Sequence, residues 1–388
     1  MCPGSYNRPM AQPFDVCIRG AGIVGRTLAL LLARDRLRVA LVDTSAPGNH
    51  ANADVRAYAL NPASRTLLDD LRCWPDAQHA TAVTAMQVFG DQGGEVNFRA
   101  AASGAEALAW VVDVPALETR LSEAVRYQPM IEVVNTPQPA TLTVICEGKA
   151  SATRQELGVA FSQMPYHQHA VAARVTCALP HGQVARQWFS NGEVLALLPL
   201  DGPEGNSVAV VWSVQQERAP ELLAQPPEEF TQALEQASHG ALGALQLQGA
   251  RASWPLQNGR AERWSGQYPA EGRKPRKSWV LAGDAAHTIH PLAGQGLNLG
   301  LGDAEELASV LHDRDYWRSV ADEKLLRRYE RARKAALLTV GGTSDGLQQL
   351  FAQDAELLRG LRNWGMKGFE RSGLLKTWVA RQAMGTHR

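Results

Sequence analysis

No apolar run in this chain approaches the roughly 20 residues that span a bilayer, so no transmembrane helix is expected. Residues 1–13 are polar, carry Pro3 and Pro9 and have no apolar core, which argues against a signal peptide. The five cysteines, Cys2, Cys17, Cys73, Cys146 and Cys177, are odd in number, scattered and never spaced C-x-x-C. That excludes a disulfide framework and a zinc knuckle, and it fits a reducing compartment. A cytoplasmic location is the expectation. Lys and Arg together number 39, as do Asp and Glu, so no global field recruits nucleic acid. No H-x-x-x-H spacing marks a metal site, and no Gly-x-Ser-x-Gly marks a covalent nucleophile. Internal repeats and low-complexity tracts are absent too.

What is present is glycine in two informative places. Asp15 to Arg19 reads as a short buried strand, followed by Gly20-Ala21-Gly22-Ile23-Val24-Gly25 and a helical run from Thr27 to Arg34. A second strand, Arg38 to Val42, ends at Asp43, about 20 positions after the glycines, as a dinucleotide-binding βαβ unit requires. Gly20 makes the tight turn, Gly22 admits a pyrophosphate, and Gly25 lets the helix approach the sheet. The helix start offers free N–H groups and about half a positive charge. Asp43 is placed to accept from ribose hydroxyls. Arg19 is an oddity, a long cation at a strand end where an apolar residue is expected.

The second place is the run Gly283 to Leu301. An apolar strand, Trp279 to Ala282, ends in Gly283-Asp284, and a Gly-rich loop then opens a helix near Gly296. This sets one carboxylate at the end of a buried strand and a row of backbone N–H groups at a helix start. A ligand with a hydroxylated chain and a ring that becomes anionic would use both, and with the N-terminal fingerprint that suggests FAD. His287 and His290 flank this loop. Either could act directly, although a packed polar role is the commoner use of such histidines.

Asp54-Val55-Arg56-Ala57-Tyr58-Ala59-Leu60 with Ser64 and Leu67, taken with Gly283–Leu301, resembles the flavin-dependent aromatic hydroxylases. The resemblance is closest to the branch that hydroxylates ubiquinone precursors. Tyr166 to Val175, Ala185 to Phe189 with Gly192 and Leu195 to Leu200, Trp254-Pro255-Leu256 and the tail Leu375 to Gly385 carry it along the chain. It implies that Gly20, Gly22, Gly25 and Asp43 hold the ADP half of FAD, that Arg56 lies along the flavin side, and that Asp284 bonds the ribityl chain. Pro291, Gly294, Gln295, Gly296, Leu297 and Asn298 would pass beside the isoalloxazine. The implied activity is monooxygenation of a prenylated phenolic ring, with O2 captured at the flavin C4a and NAD(P)H as a transient reductant. Implied partners are the aromatic substrate, O2 and other ubiquinone-biosynthesis proteins. One motif of the family departs from pattern. Its Gly-Ala-Asp-Gly reads Ile145-Cys146-Glu147-Gly148 here, although Ser151 and Arg154 match. That departure puts reductant handling by Glu147 in doubt. It also keeps open an impaired scaffold subunit, beside a third alternative, an FAD-dependent reductase or halogenase.

The expected fold is a discontinuous Rossmann-like FAD-binding domain of α/β type, an α+β domain with an antiparallel sheet for substrate, and a helical C-terminal region. The divisions expected are 14–75, 116–165 and 266–320 for cofactor, 76–115 and 166–265 for substrate, and 321–388 for the helices. Strand formers at Ala85 to Phe89, Glu95 to Arg99, Leu108 to Val112, Val171 to Leu179, Val194 to Leu198 and Ser207 to Val214 supply the sheet. His167 and His169 sit on its presumed Tyr166–Val175 strand, where alternation would let one of them touch the substrate ring. Lys324 to Leu338 and Leu357 to Arg381 are basic and amphipathic, and such a surface could rest on anionic lipid of the inner membrane or simply face the protein's own core.

Overall fold

The computed structural model describes residues 14–44, 55–90, 93–269, 277–289 and 295–352. Three sheets organise them. The first has the order β15 (Ser265–Gln267), β16 (Ser278–Leu281), β9 (Ala140–Ile145), β1 (Phe14–Arg19), β2 (Val39–Val42), β8 (Ile131–Val134). All its pairs are parallel except β15 with β16. Val16, Cys17 and Ile18 are all buried, as are the four residues of β2, because both sheet faces are covered. That is why these strands read as unbroken apolar runs and not as alternations.

On one face of this sheet lie α1 (Ile23–Arg34) and α3 (Val114–Arg126), whose Leu28, Leu32, Leu117 and Leu121 join Val16, Ile18 and Leu142 in the main core. The same core takes in α7 (Gln295–His312) and α8 (Glu323–Ala352) through Leu301, Leu307, Leu326 and Tyr329. A smaller cluster on the other face holds Cys17, Ala40 and Val42. The sheet thus draws its strands from three separated stretches of chain, as the discontinuous α/β reading requires.

The second sheet runs β17 (His287–Thr288), β14 (Leu245–Ala261), β10 (Phe161–Cys177), β13 (Ser207–Gln215), β12 (Glu193–Leu200), β11 (Val184–Ser190), β5 (Ala85–Phe89), β6 (Glu95–Arg99). Only β11 with β5 is parallel. Here alternation is clear: Val171, Ala173 and Val175 of β10 and Val208, Val210 and Trp212 of β13 point one way, into a core closed by α5 (Ala219–Ala224) and α6 (Pro227–Ala237). The hairpin from β11 to β12 turns at Asn191-Gly192, both at positive φ (52° and 76°), the pairing favoured by a two-residue turn. The third sheet, β3 (Ala57–Leu60), β7 (Ala109–Asp113), β4 (Ala80–Val83), is antiparallel and was not anticipated as separate. Two short helices, α2 (Pro62–Asp70) and α4 (Ala152–Glu156), complete the described elements.

One strand starts earlier than the sequence reading places it, and one of two readings of a basic segment is favoured. β10 begins ten residues before Val171, and it does so across a bulge between Pro165 and His169. The basic segment 324–338 turns its apolar side inward, with Leu326, Tyr329 and Leu337 buried, so its amphipathic pattern is explained by the core. The second basic segment lies outside the described residues. No described helix is long and apolar enough to cross a membrane.

Candidate cofactor site

Gly20 leaves β1 at φ +111°, and a Cβ there would stand 2.4 Å from the Cys146 carbonyl oxygen. At Gly25 a Cβ would stand 2.0 Å from the Gly20 carbonyl oxygen, which fixes how closely α1 meets the strand end. Gly22 differs: a Cβ would meet no described atom within 4 Å. It caps α1 in extended geometry, no side chain satisfies the cap, and no acidic residue sits in the first turn. The orphan N–H groups of this helix start therefore lack a side-chain cap and stand beside a small residue. Asp43, at the end of β2, holds the Arg26 guanidinium at 3.3 Å. Beside it opens a cavity of about 460 Å³ lined by Arg26, Asp43, Ser122, Arg126 and Val133. This cavity lies at the fingerprint end of the site, away from Asp284.

The second turn lies against the first. A Cβ on Gly283 would sit 3.4 Å from Val24 Cγ2, and one on Gly300 only 2.8 Å from the same atom. A single fingerprint side chain thus separates the two glycine-bearing turns. Gly283 is at φ +62°, which brings the chain sharply round after β16. Its N–H donates to Asp303 Oδ2 at 2.8 Å, and His287 Nε2 bonds the same oxygen at 2.7 Å. Arg333 Nε of α8 donates to Asp303 Oδ1 at 2.7 Å and its Nη2 to the Leu299 carbonyl at 3.0 Å. Burial pushes the Asp303 carboxyl up, but His287 and Arg333 outweigh it and hold it below the ordinary range. Asp303 is a fully buried anchor for the turn.

Asp284, one residue on, presents an accessible carboxylate that nevertheless lies deep among protein atoms. That desolvation raises its pKa, against the pull of His287, Lys149 and Arg56. At Gly296, in the first described turn of α7, a Cβ would likewise meet no described atom within 4 Å. Gln295, Gly296 and Leu297 are half-buried there. The Asn298 side chain is engaged: Oδ1 accepts from Asn61 N at 2.9 Å and Ser64 Oγ at 2.8 Å, and Nδ2 donates to the Ala59 carbonyl at 2.9 Å. It binds the start of α7 to the segment following Arg56. Pro291, Gly294 and His290 lie outside the described residues.

Between the two turns runs the loop with the altered motif. Glu147 Oε1 takes Arg19 Nε at 2.9 Å and Thr153 Oγ1 at 2.5 Å, while Oε2 takes Ser151 Oγ at 2.7 Å and Thr153 N at 3.0 Å. The two unusual residues are thus one feature, because the long cation at the strand end meets the longer carboxylate. Burial alone would raise Glu147, but these donors and Arg19 lower it. Arg154, 3% exposed, donates to the Ala285 carbonyl at 3.0 Å and the Lys149 carbonyl at 2.9 Å and lies over the Phe161 ring. The loop is therefore tied to the Asp284 turn despite the changed letters.

Of the histidines, His287 is 2% exposed, bonded to Asp303 and stacked on Trp264 with centroids 4.9 Å apart, an engagement that suits a packed polar role. His167 does not alternate with its neighbours as a regular strand residue. It sits in the β10 bulge at φ +55°, exposed, with its carbonyl accepting from Gln216 N. His169, past the bulge, lies 3.4 Å from Ser253 Oγ. Sequence reasoning missed Asp303 and Arg333, whose only sequence signal was their place on the inward stripes of two helices. Among the described residues no cluster of His, Cys, Asp or Glu suits a metal.

The model of the FAD binding domain matches residues 134–340. The chain is 28% identical to 3-demethoxyubiquinol 3-hydroxylase of Escherichia coli K12, over 96% of this chain and 99% of that protein. It is 30% identical to ubiquinone hydroxylase UbiL of Rhodospirillum rubrum, over 96% and 90% respectively. Among solved structures, the probable FAD-dependent monooxygenase PqsL of Pseudomonas aeruginosa superposes with TM-score 0.72 at 21% identity, covering 92% of this chain and all of that one. The p-nitrophenol 4-monooxygenase PnpA of Pseudomonas putida gives 0.73 at 18% identity, covering 98% and 100%, and shares the fold. This chain belongs to the FAD binding domain family, as an FAD-dependent oxidoreductase of the ubiquinone-hydroxylase branch.

Proposed function

We propose that the protein is an FAD-dependent monooxygenase that hydroxylates the phenolic ring of a prenylated ubiquinone precursor. The observation that carries this is the contact of the two glycine turns through Val24, with no described atom within 4 Å of a Cβ at Gly22 or at Gly296. Among the described residues nothing packs against either glycine, which supports room there for a dinucleotide. In this reading the α1 start with Gly20, Gly22 and Gly25 takes the diphosphate, and Asp43 takes the adenosine ribose. Asp284 accepts from the ribityl hydroxyls, with Arg56 on the flavin side. The Gln295–Asn298 helix start, after Pro291 and Gly294, turns its N–H groups to the ring edge that becomes anionic. Such a terminus is worth up to about 2 kcal/mol in a partly buried site.

FAD supplies the oxygen-activating chemistry when bound, and the chain supplies orientation, electrostatics and exclusion of water. The eight-stranded sheet reaches the site through β17, which pairs with Gly259 and Arg260 immediately after the Asp284 turn. This supports a substrate chamber between that sheet and the cofactor. With Glu147 saturated by four donors, a transient NAD(P)H would be held by other residues. The scaffold alternative loses its motive, because Arg19 compensates for the longer Glu147. A contact with anionic lipid or with other ubiquinone-biosynthesis proteins suits an apolar prenyl substrate.

Quinone profiling of a deletion strain tests the reading. A prenylated phenol one hydroxyl short of its successor should accumulate, and the purified protein should be yellow and oxidise NAD(P)H faster with that phenol. An unchanged quinone profile with colourless, unreconstitutable protein would sink it.

A further inference from the structure

The loop of residues 145–149 is wedged between the two turns. Its Cys146 carbonyl abuts Gly20, and Arg154 binds the Lys149 carbonyl with one guanidinium nitrogen and the Ala285 carbonyl with another. Lys149 therefore stands on a braced backbone between the fingerprint and the Asp284 turn. Three of the cations around it are committed. Arg26 pairs with Asp43, Arg19 pairs with Glu147, and Arg154 serves two carbonyls. Among the described residues no hydrogen bond or ion pair engages the Lys149 ammonium, which is half-buried and within electrostatic reach of Asp284.

A dinucleotide diphosphate carries roughly two negative charges and would pass close to Asp43, Asp284 and Glu147 in this site. Helix N–H groups alone supply about half a positive charge. Arg26 and Arg19 already offset Asp43 and Glu147, so Asp284 and the incoming diphosphate call for one further cation. We propose that Lys149 is a phosphate-holding residue for the diphosphate of the bound cofactor, beyond the residues the family motifs assign. The inference rests on the FAD reading above. Burial lowers the Lys149 pKa and Asp284 raises it, so a phosphate beside it would favour its charged form further.

Titration of apoprotein with FAD, ADP, adenosine and riboflavin, followed by flavin fluorescence or calorimetry, tests it. Lys149→Gln should weaken FAD and ADP by about tenfold, the worth of one charge-assisted bond. It should leave adenosine and riboflavin unchanged, and flatten the salt dependence of FAD binding. Lys149→Arg should restore most of the loss. If Lys149→Gln leaves FAD and ADP affinity intact but raises the KM for NAD(P)H in the holoprotein, the residue serves the reductant and the proposal is overturned. Equal weakening of all four ligands would overturn it as well, because that marks a general loss of structure. Wild-type protein that binds no FAD would refute the underlying cofactor reading instead, a distinct result.

Discussion

Glycines at one turn divide by what a methyl group would strike. A Cβ at Gly25 would lie 2.0 Å from a backbone oxygen, whereas one at Gly22 would meet nothing, and Gly22 has an ordinary φ of −74°. Gly25→Ala should therefore unfold or grossly destabilise the protein. Gly22→Ala should melt within about 1 °C of wild type, since substitutions away from packed features cost under about 0.5 kcal/mol, and yet lose FAD. Thermal melts of both apoproteins with parallel FAD titrations check this, and equal melting losses would refute the assignment of Gly22 to ligand. Asp284 gives a companion test with a definite sign. Its folded-state pKa is raised by burial, so the folded apoprotein binds that proton more tightly than the unfolded chain. Ionisation therefore costs stability as pH rises through the unfolded carboxyl value, and the cost levels off above the folded one. Asp284→Asn should raise apoprotein stability near neutral pH, with the advantage vanishing in acid, while FAD affinity falls by about tenfold for the lost charged acceptor.

Helices α7 and α8 show what a residue pattern conveys and what it withholds. The apolar spacing and the Gly-rich opening of α7 point to a helix from near Gly296, and the described residues are helical from Gln295 to His312. The buried strands and the Asn191-Gly192 hairpin are equally legible, because period and turn chemistry are local properties. Partners 16 residues or more apart are not. Arg19 looks anomalous until Glu147 is beside it, and Asp303 is one more acid on a helix until His287 and Arg333 converge on it. The bulge at His167 is illegible for a related reason, since it shows only in the register with β14, where Pro165 faces Gln257 and His169 faces Pro255. Removing one member of a buried charge network leaves the others uncompensated, a loss of about 3–5 kcal/mol. Asp303→Asn should show that loss in urea unfolding at neutral pH. The lowered folded pKa of Asp303 means its contribution exists above the unfolded carboxyl value and disappears as pH falls through the folded one. Wild type and variant should accordingly converge in stability at strongly acid pH. A constant gap down to that pH would show that the carboxylate charge is not what anchors the turn.

At the scale of the molecule, the turn after β16 is shared property. It ends the parallel sheet, continues as β17 into the edge of the eight-stranded sheet, and is held from behind by Arg333 of α8. Ser265 and Lys334 add ties between α8 and the β14–β15 region, through Glu330 and the Glu262 carbonyl. A ligand that bridges the fingerprint and Asp284 should stabilise all three bodies together by mass action, about 2.7 kcal/mol at a hundredfold excess over Kd. ADP, which reaches only one turn, should do less. Hydrogen exchange makes the distinction local. FAD should protect the start of α1, residues 277–289 and the start of α7, and through β17 the Gly259–Arg260 stretch of β14. ADP should protect the start of α1 and the neighbourhood of Asp43 alone. The far strands β5 and β6 touch neither turn and serve as the internal control. If ADP protected β17 as fully as FAD, the two turns would be coupled through the protein already and the bridging ligand would not be what joins them. If FAD left residues 277–289 exchanging freely, Asp284 would not hold the cofactor, and the site would reduce to a nucleotide pocket at one end.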